Sequence, residues 1–174
     1  MGECKRSINC VCGDVRVNIG LSAPLFGAYC HCNICRKTTA CPYYWGVGFP
    51  ADKVTVREGD EDKLSAHQAA GKDGITRYTC KRCGTLLHAT AGQMAFISGA
   101  LLHVSNPKTA VPASMHIYYN DRVLDVDDSL PKFPEGPRDG HPQKPSKLQK
   151  LLWHPMTLVA IASVGVAAFA LQRK

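Results

Sequence analysis

Between residues 8 and 120 the apolar positions repeat with the period of a strand rather than a helix. Val15, Val17 and Ile19 are separated by single polar residues, the pattern of a strand with one buried face. Val54 and Val56 alternate in the same way, as do Ile75, Arg77 and Thr79. Tyr43 to Phe49 is aromatic and β-prone, and Leu86 to His88, Met94 to Ile97 and Met115 to Tyr119 form further short runs. No window carries a long amphipathic helix. Residues 33–39 have room for one or two helical turns, and the polar segment from Gly59 to Gly74 reads as a loop with a short strand near Leu64. The pattern predicts one mainly β domain of antiparallel sheets over residues 1–135.

The pattern changes after that. Residues 131–150 hold five prolines and two glycines among many charges, so 136–152 is expected to be a linker. Residues 156–171 carry no charge at all. At about 1.5 Å per residue such a segment spans roughly 25 Å, near the lower limit for crossing a hydrocarbon core of about 30 Å. Trp153 stands at one edge, with Lys144, Lys147 and Lys150 before it and Arg173 and Lys174 after. Residues 153–171 are therefore expected to form a single C-terminal hydrophobic helix, a transmembrane tail anchor. The alternative is a helix packed on the domain or in a dimer. The anchor would leave the folded domain on the cytosolic face of an intracellular membrane, the mitochondrial outer membrane, peroxisome or endoplasmic reticulum; without it the protein would be cytoplasmic.

Charge follows the same division. The 174 residues carry a formal net charge of +7. Residues 1–135 hold 15 Lys+Arg against 13 Asp+Glu, whereas 136–174 hold 6 against 1. A nucleic-acid binder would carry its basic excess on the folded domain. Here it sits in the tail, so a membrane partner is favoured and no nucleic acid is expected. An apolar content of 45% excludes a wholly disordered chain.

The nine cysteines add the chemistry. The first residues, MGECKRSINC, show no apolar stretch of a secretory signal, so a disulfide framework is not expected. Seven cysteines fall into close groups, which in a reducing compartment reads as metal ligation. Cys10 and Cys12 present two thiolates to one ion if they lie on one face of a strand. Cys80-Lys-Arg-Cys83-Gly84 reads as a knuckle, with a permissive glycine after the second sulfur. Together the four would close a tetrahedral zinc site, with Lys81 and Arg82 offsetting part of its negative charge. Cys30, Cys32 and Cys35 supply three ligands within six residues, the count of a reactive zinc with one open position. Three thiolates suit an incoming thiol better than an acidified water. Alternatives stay open. All seven cysteines could serve one structural zinc, His31 could close the second site, and the Cys-x-x-Cys pair could be redox-active. Cys41 is read as a small core residue, and His88 and His116 as structural histidines.

These stretches resemble the glutathione-dependent formaldehyde-activating enzyme family, which includes centromere protein V-like proteins. The resemblance rests on Cys10-Val-Cys12-Gly13, Cys30-His-Cys32-Asn-Ile-Cys35-Arg36-Lys37, Cys80-Lys-Arg-Cys83-Gly84-Thr85, Ser98-Gly99-Ala100-Leu101 and Pro112 to Tyr118, in family order. It implies a β-tent of antiparallel sheets organised around zinc. It implies a structural zinc on Cys10, Cys12, Cys80 and Cys83 and a catalytic zinc on Cys30, Cys32 and Cys35. The implied activity is that of a carbon–sulfur lyase making or breaking S-hydroxymethylglutathione, with glutathione as co-substrate. Arg36 and Lys37 are placed to attract the carboxylates of that tripeptide. The chain departs from the family where Ala40-Cys41 replaces a usual glycine and where Leu102 replaces a common aspartate. Two other readings remain: a non-catalytic, membrane-tethered zinc module that binds another protein, and a lyase for a different metabolite.

Overall fold

Alternation along β2 (Arg16–Ile19) does what the sequence pattern predicts: Val17 and Ile19 are fully buried, while Arg16 points to solvent. The computed structural model describes residues 6–20, 24–70, 74–107 and 111–136. Within these, β1 (Arg6–Asn9) and β5 (Val54–Val56) flank β2 antiparallel to make a three-stranded sheet in the order β1-β2-β5.

The second sheet has seven strands. These are β3 (Phe26–Cys30), β4 (Tyr44–Pro50), β6 (Leu64–Gln68), β7 (Thr76–Cys80), β8 (Leu86–Ala91), β9 (Met94–Ser98) and β10 (His116–Ile117). Their spatial order is β10-β3-β4-β9-β8-β7-β6. Every pairing is antiparallel except the last-formed edge, where β10 runs parallel to β3. The seven-stranded sheet is thus mixed, while the three-stranded one is purely antiparallel. Two seven-residue α-helices, α1 (Asn33–Thr39), as the sequence suggested, and α2 (Gly99–Ser105), and short 3₁₀ turns accompany the strands.

The core forms where the two sheets meet. Ile8, Val17 and Ile19 from the small sheet, with Val15 just before β2, pack with Val47, Phe49, Leu87 and Ile97 from the large one, and Leu102 of α2 caps them. Leu102 is 1% exposed and belongs to this core. Asp60 ties β2 to the segment that joins β5 to the next strand by polar bonds. It accepts the Arg16 N–H of β2 at 2.9 Å and pairs with Arg57 at 2.8 Å and Lys63 at 2.7 Å.

Two strands escaped the sequence pattern for physical reasons. β1 contributes a single buried apolar residue, Ile8. β3 reads Phe-Gly-Ala-Tyr-Cys, and its Gly27 is required because a Cβ there would stand 2.5 Å from the Pro112 carbonyl oxygen. Small residues that admit a neighbouring backbone erase the alternation that announces a strand. Met115 to Tyr119 yields only the two-residue β10, after which Tyr119–Asp121 turns as a single 3₁₀ turn.

Among the described residues no helix is long and apolar enough to cross a membrane. The expected anchor at 153–171 and nearly all of the expected linker at 136–152 lie outside the described residues.

Candidate metal centres

Cys10, Cys12, Cys80 and Cys83 converge although nearly seventy residues separate the two pairs, their sulfurs all within 4.8 Å of one another. Cys10 Sγ lies 3.4 Å from Cys12 Sγ, and Cys12 Sγ 3.8 Å from Cys80 Sγ. Four sulfurs at about 2.3 Å from a central zinc would stand roughly 3.8 Å apart, so the donor set fits that ion. Both pairs sit on similar turns. The N–H of Cys10 donates to the Val15 carbonyl at 3.0 Å, and that of Cys80 to the Thr85 carbonyl at 3.0 Å. Gly13 and Gly84 turn each loop with φ of 81° and 74°. Cys10 follows the end of β1 and Cys12 lies in the turn, so the pair is presented by a knuckle rather than by strand pleating as the sequence suggested.

The loops also supply polar support. The Val15 N–H donates to Cys10 Sγ at 3.2 Å, and Thr85 Oγ1 lies 3.2 Å from Cys83 Sγ. The Thr85 hydroxyl and then its N–H hold the Cys83 thiol down to about 5. Arg82 bonds Asp14 of the opposite knuckle at 3.0 Å, joining the two loops outside the sulfurs. Lys81 is turned to the Asp62 carbonyl at 2.6 Å.

The second cluster is local. Cys30 ends β3, Cys32 is the N-cap of α1, and Cys35 lies in its first turn, with all three sulfurs within 4.8 Å. Cys32 Sγ accepts the Cys35 N–H at 3.3 Å, a thiol capping a helix where Ser or Asp is usual. The neighbouring sulfurs of Cys30 and Cys35 hold the Cys32 thiol well below the usual thiol range, while Cys32, Cys35 and burial push Cys30 far above it. Three sulfurs this close cannot all ionise unless a cation compensates them, which is the property of a metal ligand set. Among the described residues no fourth Cys, His, Asp or Glu joins them.

His31, weighed as a fourth ligand, is turned away. Its Nε2 lies 2.8 Å from His116 Nδ1, and both rings are fully buried. His116 is thus a bonded interior histidine, and His88 is stacked on Tyr78 at 4.4 Å with its Nδ1 lacking a partner among the described residues. Arg36 is engaged within its own turn, with Nε on the His31 carbonyl at 3.1 Å and a terminal nitrogen on Asn33 Oδ1 at 2.5 Å. Lys37, next along α1, is exposed. Cys41 is exposed rather than a core residue, because α1 ends at Ala40 in a left-handed conformation (φ 53°) that turns the chain outward.

A cleft of about 440 Å³ lies beside this cluster. Tyr29, Tyr43, Tyr44 and Trp45 line it, facing Leu86 and Leu101, and no charged side chain is among its lining residues. Tyr44 connects cleft to cluster. It pairs with Cys30 across β3 and β4, and directly opposed residues project to the same face. Burial, and then the sulfurs of Cys35 and Cys30, push its hydroxyl above the usual range, so Tyr44 stays a hydrogen-bond donor. Sequence reasoning did not single out Tyr44; only the β3–β4 register reveals it.

A profile described as the glutathione-dependent formaldehyde-activating enzyme matches residues 5–121, which include the seven clustered cysteines. Among solved structures, a crystal structure of a Rhodobacter sphaeroides protein aligns with a TM-score of 0.49 at 20% identity, covering 62% of this chain and 96% of that one. No curated protein matches the chain. The family profile spans more than half of the sequence and takes in both sulfur clusters, and on that basis the chain belongs to the glutathione-dependent formaldehyde-activating enzyme family.

Proposed function

We propose that the protein is a zinc-dependent carbon–sulfur lyase acting on a thiol–carbonyl adduct, with S-hydroxymethylglutathione as the reference substrate. One observation carries the reading: three converging sulfurs with no fourth protein donor among the described residues, set beside an uncharged aromatic cleft. In this reading Cys10, Cys12, Cys80 and Cys83 hold a structural zinc, and Cys30, Cys32 and Cys35 hold a second. When bound, the second ion supplies a soft acid that keeps a substrate thiol ionised near neutral pH.

The protein's own residues supply the rest. In the lyase direction the C–S bond breaks, the electron pair stays on sulfur, and the hydroxyl oxygen becomes a carbonyl as its proton passes to solvent water. The Tyr44 hydroxyl, between cleft and cluster, donates a hydrogen bond to that oxygen and orients the adduct. Lys37, exposed on α1, attracts substrate carboxylates, while Arg36 holds the Cys30–Cys35 turn. The uncharged lining excludes the charged ends of a tripeptide from the interior of the cleft.

Titration calorimetry of the zinc-loaded full chain with glutathione, and with S-methylglutathione as control, tests this. Binding that requires the free thiol is the expected result. Equal binding of both would leave a peptide pocket without sulfur ligation. No binding of either would remove the glutathione reading in favour of a zinc module that binds a protein partner.

A further inference from the structure

From His31, the residue between Cys30 and Cys32, a chain of hydrogen bonds that the lyase reading does not use runs from the interior out to the partly exposed Asp128. Asp128 Oδ2 lies 2.9 Å from His116 Nε2, and His116 Nδ1 lies 2.8 Å from His31 Nε2. Both imidazoles have 0% exposure. Tyr119 packs edge-on to each ring, at 4.9 Å from His31 and 5.5 Å from His116. The backbone holds the same alignment, since the His31 N–H donates to the Ile117 carbonyl at 3.0 Å and the His116 N–H to the Pro131 carbonyl at 2.8 Å. His31 is the residue between Cys30 and Cys32, so whatever orients its ring orients the peptide that carries both sulfurs.

We propose that Asp128, acting through His116, is a positioning residue for the three-cysteine site: it directs the His116–His31 hydrogen bond and thereby fixes the Cys30–Cys32 segment in the conformation where the sulfurs converge. The inference rests on reading that cluster as a metal site. Asp128 lies beyond residues 5–121, so the family match does not reach it.

The direction of the chain follows from donor and acceptor counting. A carboxylate only accepts, so His116 Nε2 carries the proton that faces Asp128. In the tautomer with one proton on each ring, which the ¹⁵N measurement below reads directly, His116 Nδ1 accepts the His31 Nε2 proton. His31 Nδ1 is left bare, and it has no partner among the described residues. The other carboxylate oxygen is also committed: Asp128 Oδ1 accepts from Lys132 Nζ at 2.7 Å and from the Leu130 N–H at 3.2 Å. This makes Asp128→Asn a directed perturbation. Its amide oxygen stays with the Lys132 and Leu130 donors, so its NH₂ faces His116 Nε2. His116 must then accept there and donate from Nδ1, which reverses the chain and moves a proton onto the buried Nδ1 of His31.

The test uses the full chain with zinc. The number and affinity of bound ions are measured by competition with a chromogenic chelator, and the histidine tautomers by ¹⁵N NMR. The expected result is two zincs in the parent and, in Asp128→Asn, one of them weakened by up to about 10-fold, the low end of the range for losing a ligand's own supporting hydrogen bond, because Asp128 acts through His116 and His31 rather than on a sulfur directly. The NMR signature of His116 should change from Nε2–H to Nδ1–H, which general loosening of the fold would not produce. Asp128→Glu, which restores an acceptor, should recover the parent tautomer. If Asp128→Asn binds both zincs as tightly as the parent, or His116 keeps its tautomer, the proposal is overturned while the metal reading stands. A parent that binds a single zinc would overturn the three-cysteine reading and the proposal with it.

Discussion

Gly99 lies flat against the indole of Trp45: a Cβ at position 99 would stand 2.2 Å from Trp45 Cε2. Trp45 lines the cleft and its neighbour Tyr44 faces the Cys30 sulfur, so the contact sets one wall of the candidate site. Gly99→Ala is expected to cost about 1–3 kcal/mol of stability, the range for overpacking, and to weaken ligand binding in the cleft. Chemical denaturation and calorimetry check the two effects, and unchanged stability would show that the indole moves aside freely.

Ala40 holds a left-handed conformation at the end of α1, with φ of 53°. Glycine takes this conformation without a Cβ penalty. Ala40→Gly is expected to raise stability by up to about 1 kcal/mol, a small gain opposed by the extra freedom of glycine in the unfolded chain. A lower denaturation midpoint would contradict this account.

The two sulfur clusters should separate in a metal count. Cys83→Ser is expected to release one zinc and to lower stability by on the order of 4–5 kcal/mol, because the site joins the end of β1 to the end of β7. Cys32→Ser is expected to release one zinc with the fold retained and thiol-dependent turnover lost. Atomic absorption and circular dichroism on the two variants distinguish these outcomes. A Cys32→Ser protein with full activity would refute the catalytic assignment.

Tyr44→Phe removes the hydroxyl that faces the cluster and leaves the ring packing intact. A roughly tenfold or greater loss in kcat/KM is expected, the size of one hydrogen bond to a group that changes charge, with metal content unchanged. Equal rates for parent and variant would remove Tyr44 from the reaction.

Burial pushes the His88 imidazole down to about 4. The unfolded chain therefore takes up a proton near pH 6.5 that the folded chain refuses until about pH 4. The resulting loss of stability grows as pH falls through that window and reaches on the order of 2–3 kcal/mol. His88→Phe, which keeps a ring against Tyr78, is expected to show a shallower decline than the parent between these values. Parallel slopes in denaturation curves would argue against it.

The cysteine clusters were legible in the sequence because ligand spacing is a local property: Cys30 to Cys35 lie in one turn, and each knuckle carries its own glycine. The joining of the two distant pairs followed from ligand number alone. Alternation was legible where side chains have a wet face, as in β2, and failed in β3, where Gly27 and Ala28 admit the 112–113 backbone. α2 was missed because seven residues with Leu102 as their one large buried side chain show no period. Tyr44 and Asp128 were invisible for another reason. Their roles depend on strand register and on a parallel edge strand, both set by contacts far apart in the chain. Cys41 was misjudged because a thiol's apolar character says nothing about a helix that ends just before it.

The different spans of the two clusters have a consequence for how the protein matures. Cys30, Cys32 and Cys35 are brought together by a single turn, so a growing chain can offer them to a metal as soon as α1 has emerged. Cys10 and Cys12 must wait for Cys80 and Cys83, and closing a loop of that length requires β7 already in place. Occupancy of the four-sulfur centre would thus report that the ends of β1 and β7 have met, while the three-sulfur centre would be open earlier to whichever soft metal is first at hand during synthesis. In a cell rich in copper, the error would fall on the site proposed to do the chemistry, in a protein whose architecture is otherwise sound.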